Sequence, residues 1–271
     1  MTKRPTSTLI RLTGKAGPCK RSFQVAGVDG CRAGWFVVII LVVKKGSGAN
    51  ATCFFKLKDF LLARTFAEVL SKTTDCKLVC VDIPIGLSDG DKPRECDVAA
   101  RKILGAKRAS SVFPAPIRPC LSTNEYEVAN AICRKFSGKG LSKQSFALLD
   151  KIRQVDDLMT PSLQRGVREI HPEISFWALN NQKAIQQNKK TVPGQAQRHK
   201  LLQRIFTDMD NILSKLPTVG FAMDDAFDAL AAAWTAGRAV IGKAETLPKN
   251  PELDGKGLRM EILYPAPIVH E

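Results

Sequence analysis

The segment Asp225-Ala-Phe-Asp-Ala-Leu-Ala-Ala-Ala-Trp234 is the most informative part of this 271-residue chain. It places Asp225 and Asp228 three residues apart, so that in a helix their Cβ atoms lie roughly 5–6 Å from each other. These like charges repel unless a cation lies between them, and the small apolar residues that follow predict a helix packed closely against a sheet. The alternative is that Asp224 or Asp225 is the helix N-cap, which leaves Asp228 unexplained because it lies one turn into the helix. We therefore interpret the aspartate pair as ligands of a metal ion.

The hydrophobic pattern of the remaining chain predicts an α/β fold. Strands are expected at residues 23–29, 35–43, 51–57, 77–83 and 167–171, and helices at residues 59–71 (with Asp59 as N-cap), 194–209 and 224–240. An interrupted helical insertion, at about residues 88–165, separates the fourth strand from the fifth. This order of elements is that of the ribonuclease H fold, a mixed five-stranded sheet flanked by helices. Actin-like ATPases and sugar kinases share the same core.

Two further aspartates end strands that this fold places side by side. Asp29 ends the first predicted strand and Asp82 the fourth, and ligands of open α/β sheets gather beyond the carboxyl ends of parallel strands. We expect Asp29, Asp82 and Asp228 to share a metal ion, with Asp225 beside them. Oxygen ligands favour Mg²⁺ or Mn²⁺ over zinc, and such ions activate water for phosphodiester cleavage. Asp29 has an alternative role as a turn residue before Gly30.

The block that follows the fifth predicted strand adds two candidates for the same site. Glu173 lies where it can reach the rim of the aspartate cluster. His171 is a candidate for proton transfer near neutral pH, with a structural role beside Pro172 as the alternative. Glu169 is expected to form a salt bridge.

The net charge of +15 favours a polyanionic partner, for which nucleic acid is the first candidate. Residues 180–207 contain six Lys or Arg and no acid, and residues 92–120 contain seven against two acids. The alternative is that this charge serves solubility alone. The predicted phosphate contacts are Arg94, Arg101, Lys107, Arg108, Lys189, Lys190 and Arg198.

Composition also limits location and organisation. Residues 1–21 contain no acid and predict a basic, disordered arm before a domain at residues 22–271, with an organelle transit peptide as the alternative. Apolar runs are too short to span a bilayer, so no membrane association is expected. Eight cysteines without a C-x-x-C pair argue against a zinc site and favour a reducing, cytoplasmic environment.

Five blocks in order resemble one family of predicted ribonuclease H-like nucleases, classed as domain-of-unknown-function family 429. The blocks are Val28-Asp-Gly-Cys-Arg-Ala-Gly-Trp35, Val81-Asp-Ile-Pro-Ile-Gly-Leu87, Ser111-Val-Phe-Pro-Ala-Pro116, Glu169-Ile-His-Pro-Glu-Ile-Ser-Phe176 and Asp225–Trp234. The resemblance covers residues 25–267 and implies a ribonuclease H-like fold with metal-dependent nuclease activity. The last block also resembles the final helix of Holliday-junction resolvases, which have this fold and a four-carboxylate site.

Two other functional classes remain open. A non-catalytic nucleic-acid-binding protein of the same fold would keep the charge and lose acids, whereas all four aspartates are present here. An actin-like phosphotransferase would need a duplicated domain, and the Asp29 block has no second copy in the chain.

Overall fold

The structure is a computed structural model that describes residues 21–45, 52–90, 92–216 and 219–267. The predicted basic arm lies outside these residues, apart from Arg21 at the start of the first strand. The strands are β1 (Arg21–Cys31), β2 (Gly34–Lys45), β3 (Thr52–Ala63), β4 (Cys76–Val81), β5 (Val167–Glu169), β6 (Ala244–Leu247) and β7 (Ile262–Pro265). The helices are α1 (Phe66–Lys72), α2 (Glu95–Leu104), α3 (Tyr126–Ser137), α4 (Lys143–Ala147), α5 (Leu149–Leu158), α6 (Pro172–Leu179), α7 (Val192–Gln203), α8 (Met209–Ser214) and α9 (Met223–Val240).

Five of the strands form a mixed sheet in the order β3-β2-β1-β4-β5. Strand β2 runs antiparallel to both β1 and β3, whereas β4 runs parallel to β1 and to β5. Helices α2 to α5 lie between β4 and β5 in the chain. This is the predicted ribonuclease H-like fold with its helical insertion, and it places β1 and β4 side by side at the centre.

Helix α9 packs against one face of the sheet at very short range. A Cβ atom added to Gly27 on β1 would lie 2.0 Å from the backbone nitrogen of Ala233 and 2.1 Å from the carbonyl oxygen of Ala229. Only glycine therefore fits beneath the helix at this position. The alanine-rich sequence of α9 allows the approach, as its composition predicted, and this approach sets the height at which Asp228 meets the sheet.

The opposite face of the sheet is covered by α1 and α5. Trp35 packs against Phe66 with ring centroids 5.2 Å apart, and Ile152 and Val155 of α5 are buried in the same apolar layer. Gln154 accepts a hydrogen bond of 3.1 Å from the Trp35 indole nitrogen. The helical insertion is thereby attached to the strand that follows β1.

The helix predicted at residues 59–71 is wrong in its first half. Strand β3 continues to Ala63, which pairs with Trp35 across the β2–β3 ladder. Asp59 accepts from the backbone of Phe60 and caps no helix; Thr65 is the N-cap, 3.2 Å from the nitrogen of Glu68. The apolar spacing suited a helix, but the long ladder with β2 determines the conformation.

Further elements differ from the prediction in the last third of the chain. The helix expected at residues 194–209 corresponds to α7, which begins at Val192 behind the Thr191 cap and ends at Gln203; α8 is a separate helix that begins at Met209. Helix α6 was not predicted, because the strand expected at residues 167–171 ends directly before Pro172; proline nevertheless suits the first turn of a helix. The β6–β7 hairpin was not predicted either. Within the described residues, every helix is too short or too polar to cross a lipid bilayer.

Candidate metal centre

The carboxyl ends of β1 and β4 bring two acids together at the centre of the sheet. Asp29 lies near the end of β1, and the nitrogen of Asp82 donates a 2.9 Å hydrogen bond to the carbonyl of Val28 directly beside it. Helix α9 crosses this edge and adds its own acids. All six predicted catalytic residues line one cavity of about 620 Å³, here called the carboxylate cavity: Asp29, Asp82, His171, Glu173, Asp225 and Asp228.

The aspartates of this cavity are held in an environment that opposes their ionisation. Burial raises the pKa of Asp29, and the charges of Asp82 and Asp228 raise it further. Burial likewise raises the pKa of Asp82 to about 7 and that of Asp228 to about 7, with Glu173 contributing to both. The negative charges of these aspartates repel one another, and a cation bound between them would reduce that repulsion.

Lys189 is a cation that already lies among these acids. Its Nζ is 2.5 Å from Oδ2 of Asp228 and 3.8 Å from Oδ2 of Asp224. Burial alone would lower the pKa of this lysine, but Asp228, Asp29 and Asp82 together raise it. The sequence assigned Lys189 to phosphate contact and missed its contact with the aspartates.

The two acids at the start of α9 make different contacts. Asp225 accepts a hydrogen bond of 2.8 Å from the nitrogen of Ala222, so it closes the first turn of the helix and also lines the carboxylate cavity. Asp224 is buried and faces Lys189. Its position four residues before Asp228 was the available signal, because such residues share one face of a helix.

Glu173 and His171 are both fixed by specific partners. Oε1 of Glu173 forms ion pairs with Arg198 and, at 3.1 Å, with Arg108. Nδ1 of His171 accepts from the nitrogen of Glu173 at 3.2 Å, and Nε2 lies 3.3 Å from the carbonyl of Ser111. Both ring nitrogens are therefore engaged, and burial lowers the pKa of His171. This arrangement suits a neutral, structural histidine better than a proton donor.

Two buried oxygens in the carboxylate cavity have no hydrogen-bond partner among the residues that the structure describes: Oδ1 of Asp228 and Oε2 of Glu173. An unsatisfied buried acceptor is costly, and carboxylate oxygens are the ligands that Mg²⁺ and Mn²⁺ prefer. The residues of the cavity therefore fit a hard divalent cation.

The carboxylates of Asp29, Asp82 and Asp228 line one cavity but stand apart from one another. Among the described residues, no three of these carboxylates have oxygens that all lie within 4.8 Å of one another. The acids instead surround Lys189. An ion shared by all three requires the lysine to leave and the carboxylates to move inward, so the shared ion stays a prediction.

A second buried acidic group is formed by Cys96, Asp97 and Glu169, of which Asp97 and Glu169 also line the carboxylate cavity. Arg94 occupies it: one guanidinium nitrogen bonds Glu169 and another lies 3.3 Å from Asp97. The backbone nitrogen of Ile85 also donates to Glu169 at 2.7 Å. The salt bridge expected for Glu169 is present, and this network connects β5 to α2.

The predicted phosphate contacts divide into buried and accessible residues. The assignments of Arg94 and Arg198 are corrected, because their side chains are 2% and 0% exposed and neutralise buried acids. Arg101 donates to the carbonyl of Val112 at 3.1 Å. The residues that remain accessible or line the cavity are Lys107, Arg108, Lys189 and Lys190.

The strand order, with acids at the ends of β1 and β4 and on α9, defines a protein of the ribonuclease H-like class. A family model described as "Protein of unknown function (DUF429)" matches residues 27–253, and the chain belongs to this family. Among solved structures, one of RuvC from Thermus thermophilus is similar, with 14% sequence identity and a TM-score of 0.32. The match covers 81% of this chain and 96% of that chain. No protein in the curated set matches the sequence significantly.

Proposed function

We propose that this protein is a metal-dependent nuclease that hydrolyses phosphodiester bonds at the carboxylate cavity. The observation that supports this most strongly is the delivery of Asp29, Asp82 and Asp228 by three separate elements to one cavity. Buried, unpartnered oxygens on Asp228 and Glu173 add to this support. Carboxylates in structural ion pairs have few oxygens without a partner, whereas carboxylates that bind a metal ion need free oxygens to coordinate it.

The donor set favours Mg²⁺ or Mn²⁺. Asp29, Asp82 and Asp228 would hold the ion, with Asp225 and Glu173 at the rim. A bound ion supplies Lewis acidity and lowers the pKa of a water molecule. The chain itself orients Glu173 through ion pairs with Arg198 and Arg108. Burial of the aspartates excludes bulk water, which would otherwise weaken their electrostatic interactions.

Accessible cations near the carboxylate cavity favour a nucleic acid as substrate. Lys190 lines the cavity and is exposed, and Lys107 is exposed one residue before Arg108, which also lines it. Lysine and arginine contacts of this kind position a phosphate backbone without reading its sequence.

The second candidate function is nucleic-acid binding without catalysis, and the position of Lys189 is the observation that favours it. A lysine that permanently neutralises the aspartates would make a metal unnecessary. The two candidates differ in whether a divalent ion binds at all.

The test is a cleavage panel with purified protein. Single-stranded, duplex and branched DNA and RNA are incubated with Mg²⁺, with Mn²⁺ and with EDTA. The proposal expects cleavage of at least one substrate that stops in EDTA. Binding without cleavage under all conditions would favour the second candidate, and cleavage that persists in EDTA would contradict the metal site.

A further inference from the structure

The contact between Lys189 and Asp228 excludes a metal ligand at the same oxygen. With the ammonium 2.5 Å from Oδ2 of Asp228, that oxygen cannot also coordinate a divalent ion, since the two cations would occupy overlapping space and repel each other. Asp224, at 3.8 Å, adds a second negative group to the lysine's surroundings. The ammonium and a metal ion are therefore competitors for one position.

The spacing of the acids agrees with a lysine at this position. Within the described part of the chain, their oxygens stand too far apart for any three to meet within 4.8 Å. A single ammonium with three donors tolerates such an open arrangement, whereas Mg²⁺ requires short, nearly octahedral contacts. Oδ1 of Asp228 stays buried without a partner, so the lysine satisfies this carboxylate only in part.

We infer that Lys189 is the built-in counter-cation of the carboxylate cavity, and that a divalent metal ion binds there only by displacing its ammonium group. This inference rests on the metal-binding part of the proposed function, but not on nuclease activity. It makes Lys189 a positioning residue that keeps the acids together before the ion arrives and opposes the binding of the ion.

The surroundings of Lys189 allow this exchange without refolding. Its backbone belongs to a turn held by Asn188, whose carbonyl accepts from the nitrogen of Thr191 at 3.1 Å. Arg198 donates to the carbonyl of Gln187 at 3.3 Å and holds the same turn from α7. The side chain is 34% exposed and has a flexible four-carbon stem. Rotation of that stem toward solvent is enough to free Asp228.

The test measures Mn²⁺ binding by titration calorimetry, without nucleic acid, for the wild type and for Lys189→Met. Removal of the competing charge should tighten Mn²⁺ binding by roughly tenfold or more. It should also lower the melting temperature in EDTA, because the aspartates then lack a counter-cation. Lys183→Met is the matched control, since it makes the same change in net charge at an exposed residue that does not line the carboxylate cavity, and its affinity should stay within about twofold of wild type.

Lys189→Arg provides a second variant in case the methionine protein folds poorly. It keeps the charge, so it should retain wild-type stability in EDTA and bind Mn²⁺ no more tightly than the wild type. Unchanged or weaker Mn²⁺ binding by folded Lys189→Met would overturn the inference, and so would the absence of Mn²⁺ binding by all variants. Tight Mn²⁺ binding without nuclease activity would leave this inference standing while removing the proposed function.

Displacement also has a direct chemical readout in the wild-type protein. An amine-reactive acetylating reagent should modify Lys189 slowly in EDTA and several-fold faster in saturating Mn²⁺, as measured by peptide mass spectrometry. Labelling of Lys183, which is exposed and does not line the carboxylate cavity, is the internal reference in the same sample. Equal labelling of Lys189 with and without Mn²⁺, in a protein shown to bind the ion, would contradict displacement.

Discussion

Ionisation of the buried carboxyl groups of Asp82 and Asp228 destabilises the folded protein, and this effect should be measurable in the pH dependence of stability. Burial raises both pKa values to about 7, whereas a carboxyl in the unfolded chain titrates near pH 4. Between about pH 4 and 7 the folded protein therefore binds protons that the unfolded chain has released, so stability falls as pH rises through this range. In EDTA, we expect the melting temperature to decrease from about pH 5 to pH 8.

The variant Asp82→Asn should flatten that decrease, because it removes one of the titrating groups and keeps the shape of the side chain. Asp75→Asn, at an exposed turn before β4, is the control and should leave the slope unchanged. Differential scanning fluorimetry across the pH series measures both. A wild-type melting temperature that rises steadily to pH 8 in EDTA would contradict the burial of the aspartates.

Arg198 gives a second prediction at the level of single residues. Because it is fully buried against Glu173, Arg198→Met should leave this buried glutamate with Arg108 as its remaining ion-pair partner and destabilise the fold by about 3 kcal/mol. Lys200→Met, on the exposed side of the same helix, should change stability by less than about 0.5 kcal/mol. Urea unfolding measures the difference in stability between the two variants. If Arg198→Met instead weakened nucleic-acid binding and left stability unchanged, the surface role predicted from the sequence would be supported.

At the scale of elements, the approach of α9 to β1 holds the site together. Gly27→Ala places a methyl group 2.0 Å from the backbone of Ala233, so that either α9 must move with Asp228 or β1 must move with Asp29. We expect a loss of at least about 3 kcal/mol, the upper end of overpacking costs, together with weaker Mn²⁺ binding. Gly166→Ala is the control because its nearest atom would be 3.8 Å away. Unfolding curves that agree for Gly27→Ala and wild type would show that this contact is not tight.

The elements that sequence could predict are those whose pattern is local. Helix α9 was expected at residues 224–240 and runs from Met223 to Val240, since its composition and acids leave few alternatives. Strand β3 was cut short because its final residues have helical spacing, and only pairing with β2 makes them a strand. The position of Lys189 depends on a contact across 39 residues, which no local pattern encodes.

At the scale of the whole molecule, the charge of +15 should make nucleic-acid affinity strongly dependent on salt. Lys107→Ser with Lys190→Ser should weaken binding and reduce the slope of log affinity against log salt by about one for each phosphate that is no longer neutralised. Lys56→Ser with Lys139→Ser is the charge-matched control, since both lysines are exposed and neither lines the carboxylate cavity. Fluorescence anisotropy at several salt concentrations measures the slopes, and equal slopes for the two double variants would place the interface elsewhere.

The overall fold was predictable because the order of its strands and helices is that of one known topology, and because the blocks Val28–Trp35, Val81–Leu87 and Glu169–Phe176 each contain the end of a strand. The choice of phosphate-binding residues was less predictable, since the sequence around Arg94 and Arg198 does not distinguish them from exposed arginines. Burial is a property of the assembled molecule, and here it converts predicted surface cations into partners of Glu169 and Glu173.

The central claim is that the protein cleaves nucleic acid at the carboxylate cavity with the help of a bound metal ion. The variant Asp82→Asn tests this claim most directly. The measurement is the single-turnover cleavage rate of wild type and variant in Mn²⁺, on whichever oligonucleotide the wild type cleaves. The account predicts a rate at least about a hundredfold lower for Asp82→Asn, with a melting temperature in EDTA equal to or above that of the wild type. Cleavage by Asp82→Asn at the wild-type rate, with the variant folded, would contradict the account.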